Sequence, residues 1–168
     1  MQYRNKDMRS PAFKVAMSGV LVAIAMIFSY IETLIPFAIP IPGAKIGLAN
    51  LVTLTGLFFL PPGQILLIMI ARILLSGFMF GNLSSVIYSM AGGFLSFFVM
   101  LAAKKIKAFS VIGVSILGGV SHNIGQLAVA CLVLSSTAPA IYLPYLIVVG
   151  SLTGALIGII GHIIYSHS

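Results

Sequence analysis

The stretch Gln64-Ile-Leu-Leu-Ile-Met-Ile-Ala-Arg72-Ile-Leu-Leu-Ser76-Gly77-Phe-Met-Phe80 sets one arginine inside a hydrophobic run bounded by Pro61-Pro62-Gly63 and Gly81-Asn82. A run of about 20 apolar residues crosses a bilayer as a helix. An unpaired arginine at the bilayer centre is unfavourable by roughly 2.5 kcal/mol or more. Asp7 and Glu32 are the only acidic side chains in the whole chain. Arg72 is therefore expected to lack an acid at its own depth. It reads as the floor of a site for an anionic or strongly hydrogen-bonding ligand.

The surrounding composition agrees. Of 168 residues, 60% are hydrophobic and 7% charged, with a mean hydropathy of +1.19, which places the chain in the polytopic membrane class. It reads as a single integral membrane domain over residues 1–168, with a basic tail at residues 1–11 and no room for a soluble catalytic domain. The net charge of +7 does not point to nucleic acid, because the basic residues flank apolar runs as topology signals do. Cys131 stands alone in an apolar segment and offers neither a disulfide nor a metal site. Arg4, Lys6 and Arg9 precede the apolar run Val15 to Ile31. That run is long for a cleavable signal and lacks a convincing cleavage site, so it reads as the first retained span.

Six apolar segments, 12–31, 45–60, 63–80, 83–103, 109–135 and 140–165, predict an all-α bundle of six transmembrane helices. Turn and breaker residues separate them, including Pro61-Pro62-Gly63 and the stretch Ser135 to Pro139. Basic residues mark the N-terminal tail and the stretch Lys104, Lys105 and Lys107 after the fourth segment. Both clusters fall on one side if the N-terminus is inside, so a multi-pass protein of the cytoplasmic membrane with both termini cytoplasmic is expected. The connection Glu32 to Lys45 is apolar, yet Pro36, Pro40 and Pro42 forbid a continuous helix. It reads either as a lid over an outward-facing cavity or as a loop lying flat at the interface. Glu32 and Lys45 at its ends could equally form a structural ion pair.

Polar residues converge around Arg72 in this scheme. His122, Asn123 and Gln126 share one arc of the fifth helix, and Asn82, Ser85, Ser89, Gly93 and Ser96 form a stripe on the fourth. Asn50 and Thr53 lie near the outer end of the second. Arg72 is eight residues below Phe80, about 12 Å and so near the midplane. These groups either line a ligand cavity or act as interhelical hydrogen-bonding glue. The candidate ligand residues are Arg72, Lys45, Asn50, His122, Asn123, Gln126, Asn82 and Ser85; no metal site is expected. A second pattern is the small-residue stripe Ala12, Ala16, Gly19 and Ala23 on the first helix, with Gly150, Gly154 and Gly158 on the sixth. Such faces allow close helix approach, inside the bundle or against a partner protein.

The segments Pro40-Ile-Pro-Gly-Ala-Lys-Ile-Gly-Leu-Ala-Asn50, Arg72 with Ser76-Gly77, Gly92-Gly93 and Ser121-His-Asn-Ile-Gly-Gln126 together resemble the heptaprenyl diphosphate synthase component I family, also called the Gx transporter family. More distantly, the chain is similar to the substrate-binding S components of energy-coupling factor (ECF) transporters. Ala12 and Ala16 match the Ala-x-x-x-Ala motif with which those proteins dock on a coupling subunit. That resemblance implies an ECF S-component-like fold, an outward ligand site under a loop after the first helix, and ATP and magnesium used only by partner ATPases.

Chemistry argues against prenyl transfer by this chain. Prenyl elongation needs acidic clusters to hold magnesium on a diphosphate, and the chain has one aspartate, in its tail. It also has no Gly-rich phosphate loop ending in Lys-Ser/Thr. No cofactor is expected in the chain. The leading expectation is the S subunit of an ECF-type importer for a small anionic vitamin, cofactor or isoprenoid- or quinone-related metabolite, working with a coupling subunit and ATPases. Alternatives are a noncatalytic accessory subunit of a polyprenyl diphosphate synthase and a membrane anchor in a redox or quinone-related complex.

Overall fold

The computed structural model describes residues 10–34, 47–106 and 108–167. The tail residues Arg4, Lys6 and Arg9, Lys107, and residues 35–45 of the expected lid lie outside the described residues. The helices are α1 (Pro11–Leu34), α2 (Asn50–Phe59), α3 (Pro62–Phe80), α4 (Leu83–Lys105), α5 (Val111–Val133) and α6 (Leu143–Ser166), the last preceded by a 3-10 turn at Ala138–Tyr142.

Among the described residues, five helices are long and apolar enough to cross a membrane, and α2 is not one of them. The expected full span at 45–60 is thus corrected to a helix of ten residues, which rises about 15 Å, half of a core about 30 Å thick. The cause is local. Gly47 has a φ of +87°, a left-handed conformation that glycine adopts without steric penalty. The Asn50 N–H then donates to Gly47 O at 2.8 Å, and the helix begins from that turn. Extended Leu60 ends it before Pro61.

Side-chain contacts fix how the helices run. Gln64 Nε2 donates to Lys14 O at 3.2 Å and to Ser18 Oγ at 2.9 Å, while the Tyr30 and Phe80 rings lie 5.0 Å apart. Helices α1 and α3 therefore run side by side in the same direction. Lys104 Nζ donates to Leu57 O and sits 5.1 Å above the Phe58 ring, and Phe58 packs on Tyr165 at 5.4 Å. The starts of α1 and α3 and the ends of α2, α4 and α6 thus share one end of the bundle, which carries Lys14, Lys104 and Lys105. The N-terminus of α2 stops at mid-depth.

Packing differs sharply between the two sides. Helices α4, α5 and α6 touch backbone to backbone through glycines. A Cβ on Gly119 would stand 2.4 Å from Gly150 O, one on Gly154 2.8 Å from Ile116 Cα, and one on Gly125 2.7 Å from Ala91 O. The glycine stripe of α6 is therefore internal packing against α5. Helix α1 buries only Ala25, Ser29 and Glu32, and apolar grooves flank it. One, against α3, is lined by residues including Ser18, Val22, Gln64 and Ile68; the other, against α2 and α6, includes Leu21, Phe28, Val52 and Ile164.

Gly154→Ala should force α5 and α6 apart and destabilise the bundle by about 1–3 kcal/mol. Gly19→Ala should leave stability unchanged or slightly higher, because a Cβ there meets nothing within 4 Å. Unfolding of the purified variants in detergent measures both. Equal losses would contradict the division into a tight block and a peripheral α1.

Candidate functional site

The site grows from the junction of three helices. Arg72, ten residues into α3, is 7% exposed, and its Nη2 donates to Asn50 Oδ1 at 3.3 Å. This bond ties the middle of α3 to the first residue of α2. Gly47 lies against the same amide: a Cβ on it would stand 3.3 Å from Asn50 Nδ2. The Gly47 N–H in turn donates to Glu32 Oε1. Glu32 is buried at the end of α1, and its charge bears on the Arg72 guanidinium.

The expectation that no acid reaches Arg72 is overturned by Glu32. Ala25, Ser29 and Glu32 succeed one another at spacings of four and three, so they share the inward face of α1. The apolar run ends at Ile31 and suggests a loop there, but α1 continues to Leu34 and carries the carboxylate inward. One carboxylate, on the Gly47 N–H, and one guanidinium, on Asn50, thus gather at the start of α2, where the positive end of its dipole lies. Arg72 Nε is buried and has no hydrogen-bond partner among the described residues. A buried cation with a donor to spare suits an oxyanion, which guanidinium groups bind through paired hydrogen bonds.

A second polar group lies at the same level. A Cβ on Gly93 would meet Ile73 Cδ1 at 3.1 Å, and one on Gly92 would meet His122 O at 2.7 Å and Gln126 Cγ at 3.0 Å. The Arg72 turn of α3, Gly92-Gly93 of α4 and His122–Gln126 of α5 therefore share one depth. His122 Nε2 and Gln126 Nε2 are 3.1 Å apart. Asn50 and His122 line one narrow cavity with Ser115 and Thr153, of about 10 Å³, on the order of one water. Gln126 Oε1 and Ser96 Oγ are buried without a hydrogen-bond partner among the described residues.

The remaining candidates separate from this centre. Asn123 Nδ2 donates to Leu146 O at 2.9 Å and fastens α5 to α6. Asn82 and Ser85 form the capping box of α4: the Ser85 N–H donates to Asn82 Oδ1 at 2.8 Å, and the Asn82 N–H donates to Ser85 Oγ at 3.1 Å. Lys45 is outside the described residues. Ala12, Ala16, Gly19 and Ala23 are all exposed and lie off the face of α1 that carries Ala25, Ser29 and Glu32, with Gly19 at the edge of the groove against α3. Sequence reasoning missed Glu32, Gly47 and Ser115 as members of the centre. The signal for Glu32 was its helical register with Ala25 and Ser29.

Because Glu32 is buried, Arg72→Met should strand a carboxylate and lower stability by about 3 kcal/mol. The double variant Arg72→Met/Glu32→Gln should recover most of that loss. A double-mutant cycle of unfolding in detergent checks this; additive losses would mean the two side chains do not act as a pair.

Residues 21–164 match the protein family described as heptaprenyl diphosphate synthase component I. No curated protein and no solved structure matches the chain. The matched stretch contains Glu32, Asn50, Arg72 and His122, the residues that meet at mid-depth. A multi-pass helical membrane protein built around that centre, the chain belongs to the heptaprenyl diphosphate synthase component I family.

Proposed function

We propose that the chain is the noncatalytic membrane component of a polyprenyl diphosphate synthase, holding a prenyl diphosphate in the bilayer for a separate catalytic subunit. The family match over residues 21–164, in a chain whose only acids are Asp7 and Glu32, carries this reading. Two carboxylates, one of them engaged near Arg72, do not assemble the magnesium-binding clusters that prenyl transfer requires. The chain is therefore not the catalyst. The apolar grooves beside α1 suit a hydrocarbon tail, and the Arg72–Asn50 pair suits an oxyanion. The exposed small-residue face of α1 suits a docked helix of the partner.

A second reading, the S subunit of an ECF-type importer, is favoured by one observation in particular. Ala12, Ala16, Gly19 and Ala23 are all exposed, and only Gly19 among them borders a groove of its own bundle, which leaves the stripe open to a partner helix. In that reading a coupling subunit docks there and separate ATPases supply the energy, while Arg72 meets an anionic ligand arriving from the end opposite Lys104.

Co-purification with the tagged chain separates the two. The first reading expects a prenyltransferase to come down with it, and a pair of ATPases would transfer support to the second. In either case Ala16→Trp should lose the partner while the chain itself stays folded, because the bulky ring stands on a surface away from the core. Undiminished recovery of the partner with Ala16→Trp would remove α1 as the docking face.

A further inference from the structure

The Arg72 centre is organised around a carboxylate that belongs to the most loosely held helix. Glu32 is contributed by α1, which buries only two other residues. Its carboxylate is engaged by the Gly47 N–H, one turn before the N-terminus of α2. At that same point Arg72 donates to Asn50 and retains a buried Nε without a partner among the described residues. An oxyanion entering this space would find the guanidinium, the Asn50 amide and the positive end of α2. It would also find Glu32 already there, and two anions cannot share one guanidinium at low dielectric without strong repulsion.

We propose that Glu32 is a displaceable internal counter-ion: it neutralises Arg72 in the empty protein, and a ligand oxyanion, such as the diphosphate of a prenyl chain, takes its place. The proposal rests on the reading of Arg72 as a ligand contact. Displacement frees the Gly47 N–H from Glu32 and releases the end of α1 from the centre. Occupancy is thereby linked to the position of the helix whose outer face carries Ala12, Ala16, Gly19 and Ala23. The linkage is reciprocal: whatever holds α1 in its released position strengthens anion binding by the same factor.

The test is calorimetric titration of the full chain in detergent with inorganic diphosphate and with farnesyl diphosphate. Glu32→Gln removes the competing charge but keeps an oxygen for the Gly47 N–H, so at least one of the two should bind about tenfold tighter than to the natural protein. Glu32→Asp, with its carboxylate withdrawn by one methylene, should give a smaller gain. Hydrogen exchange of the Gly47 amide in the natural protein should become faster when diphosphate binds. Should Glu32→Gln fail to fold, the aspartate variant and the Gly47 amide decide the matter. Binding that is unchanged or weaker in Glu32→Gln, or a Gly47 amide indifferent to the ligand, overturns the displacement and leaves the Arg72 site standing. Absence of binding to the natural protein and to Glu32→Gln alike overturns both.

Discussion

A guanidinium buried at the middle of the bundle is the constraint on which the rest of this structure turns. Arg72 cannot be left alone at that depth, and the groups that answer it come from two other helices. Asn50 reaches it from the start of α2, which explains why a half-length helix is useful: a helix crossing the full bilayer would carry its positive end to the surface. Ending α2 at mid-depth puts backbone dipoles and an amide beside the arginine. Lys104 holds the other end of the same helix by donating to Leu57 O, so α2 is fixed at both termini by side chains of longer neighbours.

Around that centre the bundle divides into a tight part and a loose part. Glycines bring α4, α5 and α6 into backbone contact, and small changes there are felt because close-packed interiors transmit strain. Helix α1 is bordered by grooves and touches the polar centre near its far end. A rigid block beside a weakly held helix is the arrangement in which a local charge event can move one element without disturbing the others. The outward face of α1 has no task inside the bundle, which leaves it for contact with another protein or with lipid.

Much of this was legible in the sequence, and the exceptions have identifiable causes. The long helices announced themselves because twenty apolar residues between breakers leave little else for the chain to do. Arg72, Asn50 and His122 emerged as one centre because polar groups within apolar helices must meet something. The start of α2 stayed hidden because Ile46, Leu48 and Ala49 are as apolar as a helix interior; only the positive φ of Gly47 interrupts them. Glu32 resembles a loop residue in the sequence because charge following an apolar run ordinarily marks the interface. Asn82 and Ser85 matched a helical stripe, but their spacing of three at a helix start was equally the pattern of a cap, and the cap is what forms. Asn123 shares an arc with His122 and Gln126, yet α6 lies close enough through Gly150 to claim its amide.

The oxyanion proposed for the Arg72 centre is open to direct observation. Native mass spectrometry of gently purified protein tests it most directly, with the natural chain compared against Arg72→Met/Glu32→Gln, which keeps the centre neutral. A phosphate-bearing adduct is expected on the natural chain and should disappear from the double variant while its folded mass distribution is retained. The same adduct at the same occupancy on both proteins would contradict it.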